Sequence, residues 1–254
     1  MKKYAVITGA SAGIGREFAK LLANRGYALI LIARREQRLQ KLASQLKTEC
    51  LILTADLTER KECERVYEAI HDKNIEIFIN NAGFGDCGPF ISANLEKELR
   101  MIQLNIQAMH YLTKRVLLKM ETSGYGFILN VASSAGLIPA GPYMAAYYAS
   151  KSYVTSLTRA IAQELRESGS KVYIGCLCPG PVETEFNRVA NVEFKLKGIS
   201  ARFCAAYALC QMKRRRIVII PTMRMKFVTA FGRFLPQPLY IRLVARQQKK
   251  KIYS

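Results

Sequence analysis

The sequence predicts an α/β fold: a doubly wound parallel sheet of about seven strands with helices on both faces. Short, continuous apolar runs rich in β-branched residues alternate along the chain with longer segments of helical periodicity. Such runs are typical of strands covered on both faces, and their alternation with helices implies right-handed crossovers. With 254 residues, of which 50% are hydrophobic, the chain can bury the core that this fold requires.

The apolar runs predicted to be strands are 4–8, 28–32, 50–54, 75–79, 127–131, 172–177 and 217–220. Helical patterns cover 14–25, 36–47, 59–70, 95–120, 149–167 and 200–212. No linker, repeat or low-complexity segment interrupts the chain before residue 221, after which the composition becomes basic and apolar. We therefore predict one sheet-forming domain over residues 1–221, with a basic amphipathic extension of the same domain over 222–254.

The formal net charge of +20 predicts an anionic partner such as nucleotide phosphates, lipid head groups or nucleic acid. The basic residues are not interleaved with aromatic ones as in single-strand binding platforms, so we expect no specific nucleic-acid binding. Seven cysteines without a C-x-x-C pair favour reduced thiols in a cytoplasmic protein over a disulfide framework or a metal site. No segment offers about 18 uncharged apolar residues, so we expect no membrane span.

A glycine-rich stretch, "TGASAGIG" at residues 8–15, follows the first predicted strand and opens the first predicted helix. Gly9, Gly13 and Gly15 permit a tight turn and a close approach of the backbone to a pyrophosphate at the helix N-terminus. A plain tight turn is the alternative, but this position in the first strand–helix unit favours a dinucleotide site in a Rossmann-type sheet. Ser11 and Ile14 lie in the same loop and are assigned to the cofactor site with the glycines.

Two arginines, Arg34 and Arg35, follow the second predicted strand in "LIARR". In dinucleotide-binding folds an acidic residue at this strand end holds the ribose 2′-hydroxyl, whereas arginine accommodates a 2′-phosphate. Paired guanidinium groups bind phosphate through charge-assisted hydrogen bonds. The alternative is a solvated basic helix start. The pair predicts NADP(H) as the cofactor in preference to NAD(H).

The stretch "YYASK" places Lys151 four residues after Tyr147, on the same face of a predicted helix. A nearby cation favours the phenolate, so we expect the pKa of Tyr147 to be lowered. Tyr148 has Ser152 at the same spacing and gains no such charge. Tyr147 is therefore the candidate acid, and Tyr148 is expected to pack against the sheet or line a substrate pocket. The alternative is that both aromatic rings cap a core helix.

These motifs together resemble those of the short-chain dehydrogenase/reductase family. They are "TGASAGIG", "NNAG" (80–83), Leu104–Asn105, "VASSAG" (131–136), "YYASK" and "CPGPVET" (178–184). They occur in the order that the family uses and span residues 8 to 184. The resemblance implies a reversible hydride transfer between NADPH and a carbonyl or secondary alcohol.

The resemblance also implies roles for individual residues. Tyr147 would act as general acid or base, while Lys151 would lower its pKa and hold the nicotinamide ribose. Asn105 would fix its helix and a water of the proton relay, and a serine after the fifth strand would hydrogen-bond the substrate carbonyl. Asp56 and Leu57 would contact adenine. The remaining cofactor contacts would be Asn81, Ala82 and Gly83 along the ribose, and Pro179, Gly180, Val182 and Thr184 around the carboxamide and phosphates.

The sequence departs from the family pattern at three places that matter, one of which is the substrate region after Thr184, which is short and has no recognisable specificity motif. Ala12 stands where many NADP-preferring members have a basic residue, so phosphate recognition depends on Arg34 and Arg35 alone. "VASSAG" offers two serines: alignment by the strand gives Ser133, and the family's usual spacing from Tyr147 gives Ser134. We favour Ser133 because strand register fixes which side chain faces the cleft, while the loop "LIPAGPYM" can absorb an extra residue.

The substrate is predicted to be apolar, that is lipid-, acyl- or steroid-like. This prediction depends on a set of apolar side chains near the motifs, which could equally belong to the core: Phe84, Phe90, Tyr143, Met144, Phe186 and Phe194. A homo-oligomer, either a dimer or a tetramer, is expected from the resemblance. The alternative function is a non-catalytic nucleotide- or nucleic-acid-binding protein on the same fold.

The C-terminal segment has no acidic residue after Glu193. From Arg224 to Lys251, basic and apolar residues are mixed, as in helices that lie on an anionic membrane surface. The alternative, which we favour slightly, is that the apolar residues dock on the sheet or on a partner subunit while the charges are solvated. The segment thus predicts either a peripheral membrane contact or a packing role.

Overall fold

The computed structural model describes residues 2–186, 190 and 198–252. Its centre is a seven-stranded parallel sheet with the order β3-β2-β1-β4-β5-β6-β9. The strands are β1 (Tyr4–Thr8), β2 (Ala28–Ala33), β3 (Cys50–Thr54), β4 (Ile75–Asn80), β5 (Phe127–Val131), β6 (Tyr173–Leu177) and β9 (Val218–Ile219). A separate short pair is formed by β7 (Val182–Glu183) and β8 (Ile199–Ser200). The predicted fold class is confirmed, and every predicted strand is present.

The helices are α1 (Gly13–Ala23), α2 (Glu36–Ser44), α3 (Arg60–Ile70), α4 (Leu95–Ile102), α5 (Met109–Ser123), α6 (Ala145–Glu167), α7 (Ala201–Lys213), α8 (Met223–Phe231) and α9 (Gln237–Ile252). The helix predicted over 95–120 is interrupted by a π-helical segment, Gln103–Ala108. The helix predicted over 149–167 begins four residues earlier, at Ala145, so that Tyr147 lies in its first turn.

Alternate residues of the central strands pack on opposite faces of the sheet. Leu29 and Leu31 contribute to a core with α1 and α7, in which Phe18 and Leu22 are fully buried. Ile30 and Ile32 contribute to the second core, on the side of α3 and α5. Coverage of both faces is why the strands read as unbroken apolar runs rather than as an alternation.

A chain of buried polar side chains runs across the sheet. The Thr8 hydroxyl donates to Asn80 Oδ1 (3.4 Å), and Asn80 Nδ2 donates to Thr113 Oγ1 (3.2 Å). Thr113 Oγ1 donates to Asn130 Oδ1 (3.1 Å), and Asn130 Nδ2 donates to Thr158 Oγ1 (3.0 Å). All five side chains are buried, so these bonds join β1, β4, β5, α5 and α6 in a low-dielectric interior.

The strand order reverses between β1 and β4, because the chain moves outward from β1 to β3 and then returns to β4 on the other side. In open α/β sheets ligands bind at such a reversal, outside the carboxyl ends of the strands. Thr8 and Asn80 end the two strands there, and the predicted cofactor motifs at residues 9–15 and 81–83 follow them directly.

The C-terminal segment forms α8 and α9, and the predicted boundary near residue 221 falls between β9 and α8. Tyr240, Val244 and Gln248, spaced four residues apart on α9, are buried, so one face of this helix docks on the protein. Other apolar side chains of α8 and α9 remain exposed. Across the described ranges 2–186, 190 and 198–252, no helix has both the length and the apolar character needed to cross a membrane.

Candidate active site

The glycine loop and the segment after β4 are held together by Thr8 and Asn81. Thr8 Oγ1 accepts hydrogen bonds from the backbone amides of Asn81 (2.8 Å) and Ala82 (2.9 Å). Asn81 Nδ2 donates in return to Thr8 O (2.9 Å) and Gly9 O (3.3 Å). Two predicted cofactor motifs, 73 residues apart in the sequence, thus form one continuous wall.

Glycine is required in this loop on conformational and steric grounds. Gly9 and Gly13 have φ values of +66° and +53°, in the left-handed region that favours glycine. A Cβ on Gly15 would lie 2.4 Å from Gly9 O, and a Cβ on Gly9 would lie 2.7 Å from Asn81 Nδ2. No side chain fits there, so glycine allows the loop, the start of α1 and the segment after β4 to pack closely together.

The N-terminus of α1 has no side-chain cap, because Ala12 occupies the capping position. The first amides of a helix have no partner within the helix and favour an anion. Residues present here therefore fit the pyrophosphate of a dinucleotide. Ser11 and Ile14 lie in the same loop, and Ile14 also packs against the core beneath it.

The two arginines after β2 have different partners within the protein. Arg34 Nη1 lies 3.6 Å from Asp56 Oδ2. Arg35 donates from Nε and Nη2 to Ser11 Oγ, at 3.2 and 3.1 Å. Arg35 thus hydrogen-bonds to the glycine loop, and both guanidinium groups stand at the same end of the sheet.

Asp56 lies after β3 and is followed by the buried Leu57. Partial burial raises the pKa of Asp56, but hydrogen bonds from Thr58 and the charges of Arg34 and Arg100 lower it below its ordinary value. The carboxylate is thus ionised and oriented at the edge of the predicted adenine site.

An acidic residue that sequence reasoning missed completes the charged side of the site. Glu185 accepts from Arg35 Nη1 at 2.8 Å and from Arg38 Nη1 at 2.6 Å. The carboxylate lies about 150 residues from its partners in sequence, and no local pattern links them. Its position directly after Thr184, in a predicted cofactor motif, was the only available signal.

Tyr147 and Ser133 form the polar centre of the cleft. Burial raises the pKa of Tyr147 to about 12, and a hydrogen bond with the Ser133 side chain lowers it in part. Ser133 Oγ also accepts from the amide of Ala135 at 3.1 Å, which fixes its orientation. Ser134 contributes its backbone amide to Pro179 O at 2.8 Å. Of the two serines considered, it is the Ser133 side chain that meets the tyrosine.

Lys151 is buried beneath Tyr147. Its Nζ donates to Val131 O at 2.9 Å and lies 5.9 Å from the centroid of the Tyr147 ring. Burial lowers the pKa of Lys151 to about 8. The expectation that the pKa of Tyr147 is lowered is wrong for the protein alone, because desolvation of the phenolate has the largest effect on this pKa and raises it.

Asn105 lies within the π-helical segment and is buried. Its amide Nδ2 donates to Phe84 O (2.8 Å) and Ser150 Oγ (3.1 Å), and its Oδ1 accepts from Phe84 N (3.1 Å). A Cβ on Gly83 would lie 2.8 Å from Asn105 Oδ1 and 3.3 Å from Lys151 Nζ. The glycine therefore allows both side chains to approach the end of β4.

The segment after β6 faces the glycine loop. A Cβ on Gly13 would lie 3.2 Å from Thr184 Cγ2, and one on Gly180 would lie 2.8 Å from Met225 Cγ of α8. Val182 is buried in β7. The predicted Pro179–Thr184 motif thus lies between the glycine loop and the C-terminal helices.

Apolar side chains pack in the same cluster as Tyr147. The Phe186 ring lies 5.5 Å from the Tyr147 ring, and Phe84 and Met144 belong to the same cluster. Tyr143 lies beside Met144 with a φ of +67°. Phe90 is 67% exposed and stands at the margin of this cleft. Phe194 lies outside the described residues.

The C-terminal helix supplies a wall that sequence analysis did not assign. Gln248 Nε2 donates to the Tyr148 hydroxyl at 2.5 Å, and Tyr240 and Val244 pack in the same cluster as Tyr147 and Tyr148. The four-residue spacing on α9 was the signal that could have found it. Tyr148 is therefore a packing residue whose hydroxyl is already engaged.

Comparison with known proteins places the chain in a family. A family model described as short chain dehydrogenase matches residues 3–193. An uncharacterized oxidoreductase of Staphylococcus epidermidis is 32% identical over 214 residues, which cover 83% of this chain and 92% of the relative. A very-long-chain 3-oxoacyl-CoA reductase of Anas platyrhynchos is 32% identical over 200 residues, covering 75% and 63%.

Among solved structures, a short-chain dehydrogenase from Sphingobium yanoikuyae in complex with NADPH superimposes with a TM-score of 0.82. It is 31% identical, and the match covers 94% of this chain and 95% of that one. The chain therefore belongs to the short-chain dehydrogenase/reductase family and is an oxidoreductase.

The buried lysine makes stability depend on pH. The pKa of Lys151 is about 8 in the folded protein and near its ordinary 10.5 when unfolded. Between these values the unfolded chain binds a proton that the folded protein lacks, so this group adds stability as pH rises. Relative to Lys151→Met, wild type should gain about 2 kcal/mol in unfolding free energy between pH 8 and 10.

Urea denaturation of the reduced, cofactor-free proteins measures this difference. Lys213→Met, which replaces an exposed lysine, serves as the matched control and should track wild type. A constant difference between wild type and Lys151→Met across this pH range would show that Lys151 is not desolvated.

Proposed function

We propose that this protein is an NADP(H)-dependent oxidoreductase that transfers a hydride reversibly between the nicotinamide and a carbonyl or secondary alcohol of an apolar substrate. The observation that carries the proposal is the convergence of Ser133, Tyr147 and Lys151 in one buried cleft beside the glycine loop. Asn105 packs beside Lys151 against Gly83, which follows the end of β4. Family membership supports the reaction class.

Tyr147 acts as the general acid in the direction of reduction. Because burial raises its pKa, the phenol holds its proton at neutral pH and can donate it to a developing alkoxide. Ser133 holds the carbonyl oxygen in position for this donation. A bound nicotinamide supplies the hydride. In the oxidative direction, Tyr147 must first lose its proton, and the resulting phenolate takes the proton from the alcohol. Positioned acid–base catalysis of this kind contributes about 10²–10⁴-fold.

Lys151 and Asn105 support the proton donor. With a pKa of about 8, Lys151 can release and recover a proton near neutrality, and we assign it also to the nicotinamide ribose. Asn105 fixes the π-helical segment through its bonds to Phe84 and is assigned to hold a water between Lys151 and solvent. Lys151 and Asn105 thus return a proton to Tyr147 after each reduction.

The cofactor would lie along the carboxyl ends of β1 to β6. We assign the pyrophosphate to the uncapped start of α1, and the 2′-phosphate to Arg34 and Arg35 with Ser11. The family relative from Sphingobium yanoikuyae carries NADPH, which supports this choice. The other contacts are assigned as adenine to Asp56 and Leu57, ribose to Asn81, Ala82 and Gly83, and carboxamide to Pro179, Gly180, Val182 and Thr184.

An apolar substrate is supported by the apolar side chains that cluster with Tyr147. Phe186, Met144 and the buried face of α9 line this part of the cleft. A similar chain acts as a very-long-chain 3-oxoacyl-CoA reductase. We therefore assign a lipid- or acyl-like carbonyl compound to this site, in a cytoplasmic protein that forms a homo-oligomer.

Replacement of the acid tests the mechanism. Tyr147→Phe should lower turnover of carbonyl substrates with NADPH by at least about 10²-fold, because the proton donor is lost. Binding of NADPH, followed by its fluorescence, should change little. Tyr148→Phe is the matched control: it removes only the bond to Gln248 and should retain most activity.

Greater loss in Tyr148→Phe than in Tyr147→Phe would reverse the assignment of the acid. No turnover by wild type with any of a panel of ketones and acyl thioesters, while NADPH still binds, would favour a non-catalytic nucleotide-binding protein.

Replacement of both arginines tests the cofactor. Arg34→Gln with Arg35→Gln should weaken NADPH binding by several kcal/mol, at about 1.5–3 kcal/mol for each hydrogen bond to a charged group. NADH binding should be nearly unchanged. Titration of protein with each cofactor measures both constants. Equal losses for NADPH and NADH would show that the arginines serve the fold and not the 2′-phosphate.

The exposed side of α8 and α9 supports a peripheral membrane contact. Phe227 and Phe231 stack at 5.9 Å on the surface, and Leu239 and Leu243 are exposed on α9. The segment from 198 onward contains only basic charges. An apolar surface with uniformly positive charge is complementary to anionic lipid. Docking of the opposite face through Tyr240 and Val244 leaves this surface free in the monomer.

Vesicle binding tests this contact. At low salt the protein should co-sediment with vesicles of phosphatidylserine and phosphatidylcholine but not with phosphatidylcholine alone. Phe227→Ser with Phe231→Ser should weaken binding about tenfold or more, because a fully buried aromatic side chain contributes about 1.5–3 kcal/mol. Phe90→Ser with Ile91→Ser, also exposed, is the control. No binding of the full-length protein to anionic vesicles at low salt would exclude the membrane contact. Binding retained by Phe227→Ser with Phe231→Ser would remove these two side chains from it.

A further inference from the structure

The guanidinium group assigned to the 2′-phosphate already has an anionic partner. Glu185 presents one carboxylate oxygen to Arg35 (2.8 Å) and the other to Arg38 (2.6 Å), while Arg35 also donates to Ser11 Oγ in the glycine loop. The carboxylate therefore completes an anion site built from three separate parts of the chain: the glycine loop, the start of α2 and the turn after β7.

This carboxylate is ionised and accessible to competition. Hydrogen bonds from Arg35 and then Arg38 lower the pKa of Glu185 to about 2. The three side chains are 37–45% exposed, so solvent and a ligand can reach them. Partly exposed ion pairs are weak, and a dianion on the same arginines would have the stronger attraction.

We propose that Glu185 is an internal competitor for the 2′-phosphate of NADP(H), and that Arg38 is a third residue of that phosphate site. The proposal rests on the proposed cofactor. A phosphate can displace the carboxylate because it carries more charge and more acceptor oxygens than Glu185. The uncharged 2′-hydroxyl of NAD(H) does not compete with the carboxylate for the arginines. Glu185 therefore weakens the binding of NADP(H) and leaves the binding of NAD(H) unchanged.

Glu185 is also connected, through the next residue of the chain, to the proton donor Tyr147. Phe186, the next residue, contacts the Tyr147 ring, and its amide donates to Thr184 Oγ1 at 3.3 Å. One turn therefore carries a side chain at the phosphate site and another at the proton donor.

Binding of nucleotide fragments isolates the competition from catalysis. Calorimetry at low, fixed ionic strength would compare 2′,5′-ADP with 5′-ADP, and NADPH with NADH, on wild type and Glu185→Gln. Glu185→Gln should bind 2′,5′-ADP and NADPH roughly fivefold more tightly, since ion pairs of ordinary surface strength are lost from the competing state. Affinity for 5′-ADP and NADH should stay within twofold.

Glu183→Gln is the matched control, because it removes the same charge two residues away from an exposed side chain. In the Glu185→Gln background, Arg38→Gln should weaken 2′,5′-ADP about fivefold or more and leave 5′-ADP unchanged. Thermal midpoints of all variants confirm that each is folded.

Two results would overturn the proposal: unchanged 2′,5′-ADP affinity in Glu185→Gln, or an equal gain in Glu183→Gln, which would indicate only the general field of the protein. No loss on Arg38→Gln would remove Arg38 from the site. A different result is expected if NADP(H) is not the cofactor. In that case both wild type and Glu185→Gln, in which Arg34 and Arg35 are intact, would bind 2′,5′-ADP no better than 5′-ADP.

Discussion

The buried hydroxyl of Thr8 is the contact on which the geometry of the site depends. It accepts from the amides of Asn81 and Ala82 and donates to Asn80, so its hydrogen-bonding capacity is fully used. From Asn80 the polar chain continues through Asn130 to α6. An unsatisfied polar group in such an interior costs about 1–3 kcal/mol. The network therefore fixes the crevice for the cofactor and the helix of the proton donor in one arrangement.

Burial acts in opposite directions on the two central side chains. It raises the pKa of Tyr147 and lowers that of Lys151, so in the protein alone both groups shift toward their neutral forms. The spacing in "YYASK" predicted that the two would lie close together, and they do. It could not predict the extent of desolvation, because burial of the pair depends on residues that are distant in the sequence. The chemistry of the site thus follows from its enclosure as much as from its composition.

The sheet could be predicted from the sequence because strands buried on both faces form unbroken apolar runs, as in residues 28–33. The start of α6 was not, since Met144 caps it without a side-chain hydrogen bond and so leaves no signal. Motifs on successive strand ends located the glycine loop, Asn105 and Tyr147. The ion pairs of Glu185 join residues 147 and 150 positions apart, and the contact of Gln248 with Tyr148 joins residues 100 positions apart. No local sequence pattern predicts contacts over such distances, so they were found only in the three-dimensional structure.

The π-helical segment at Gln103–Ala108 carries a consequence for how the chain tolerates changes in length. A π-helical turn holds one more residue than the α-helical turn it replaces. Removing a single residue there would restore α-helical spacing and rotate α4 by about 100° relative to α5. Met101, now buried, would turn away from its cluster, and Asn105 would leave the backbone of Phe84. In this segment the number of residues, and not only their identity, is therefore under structural constraint.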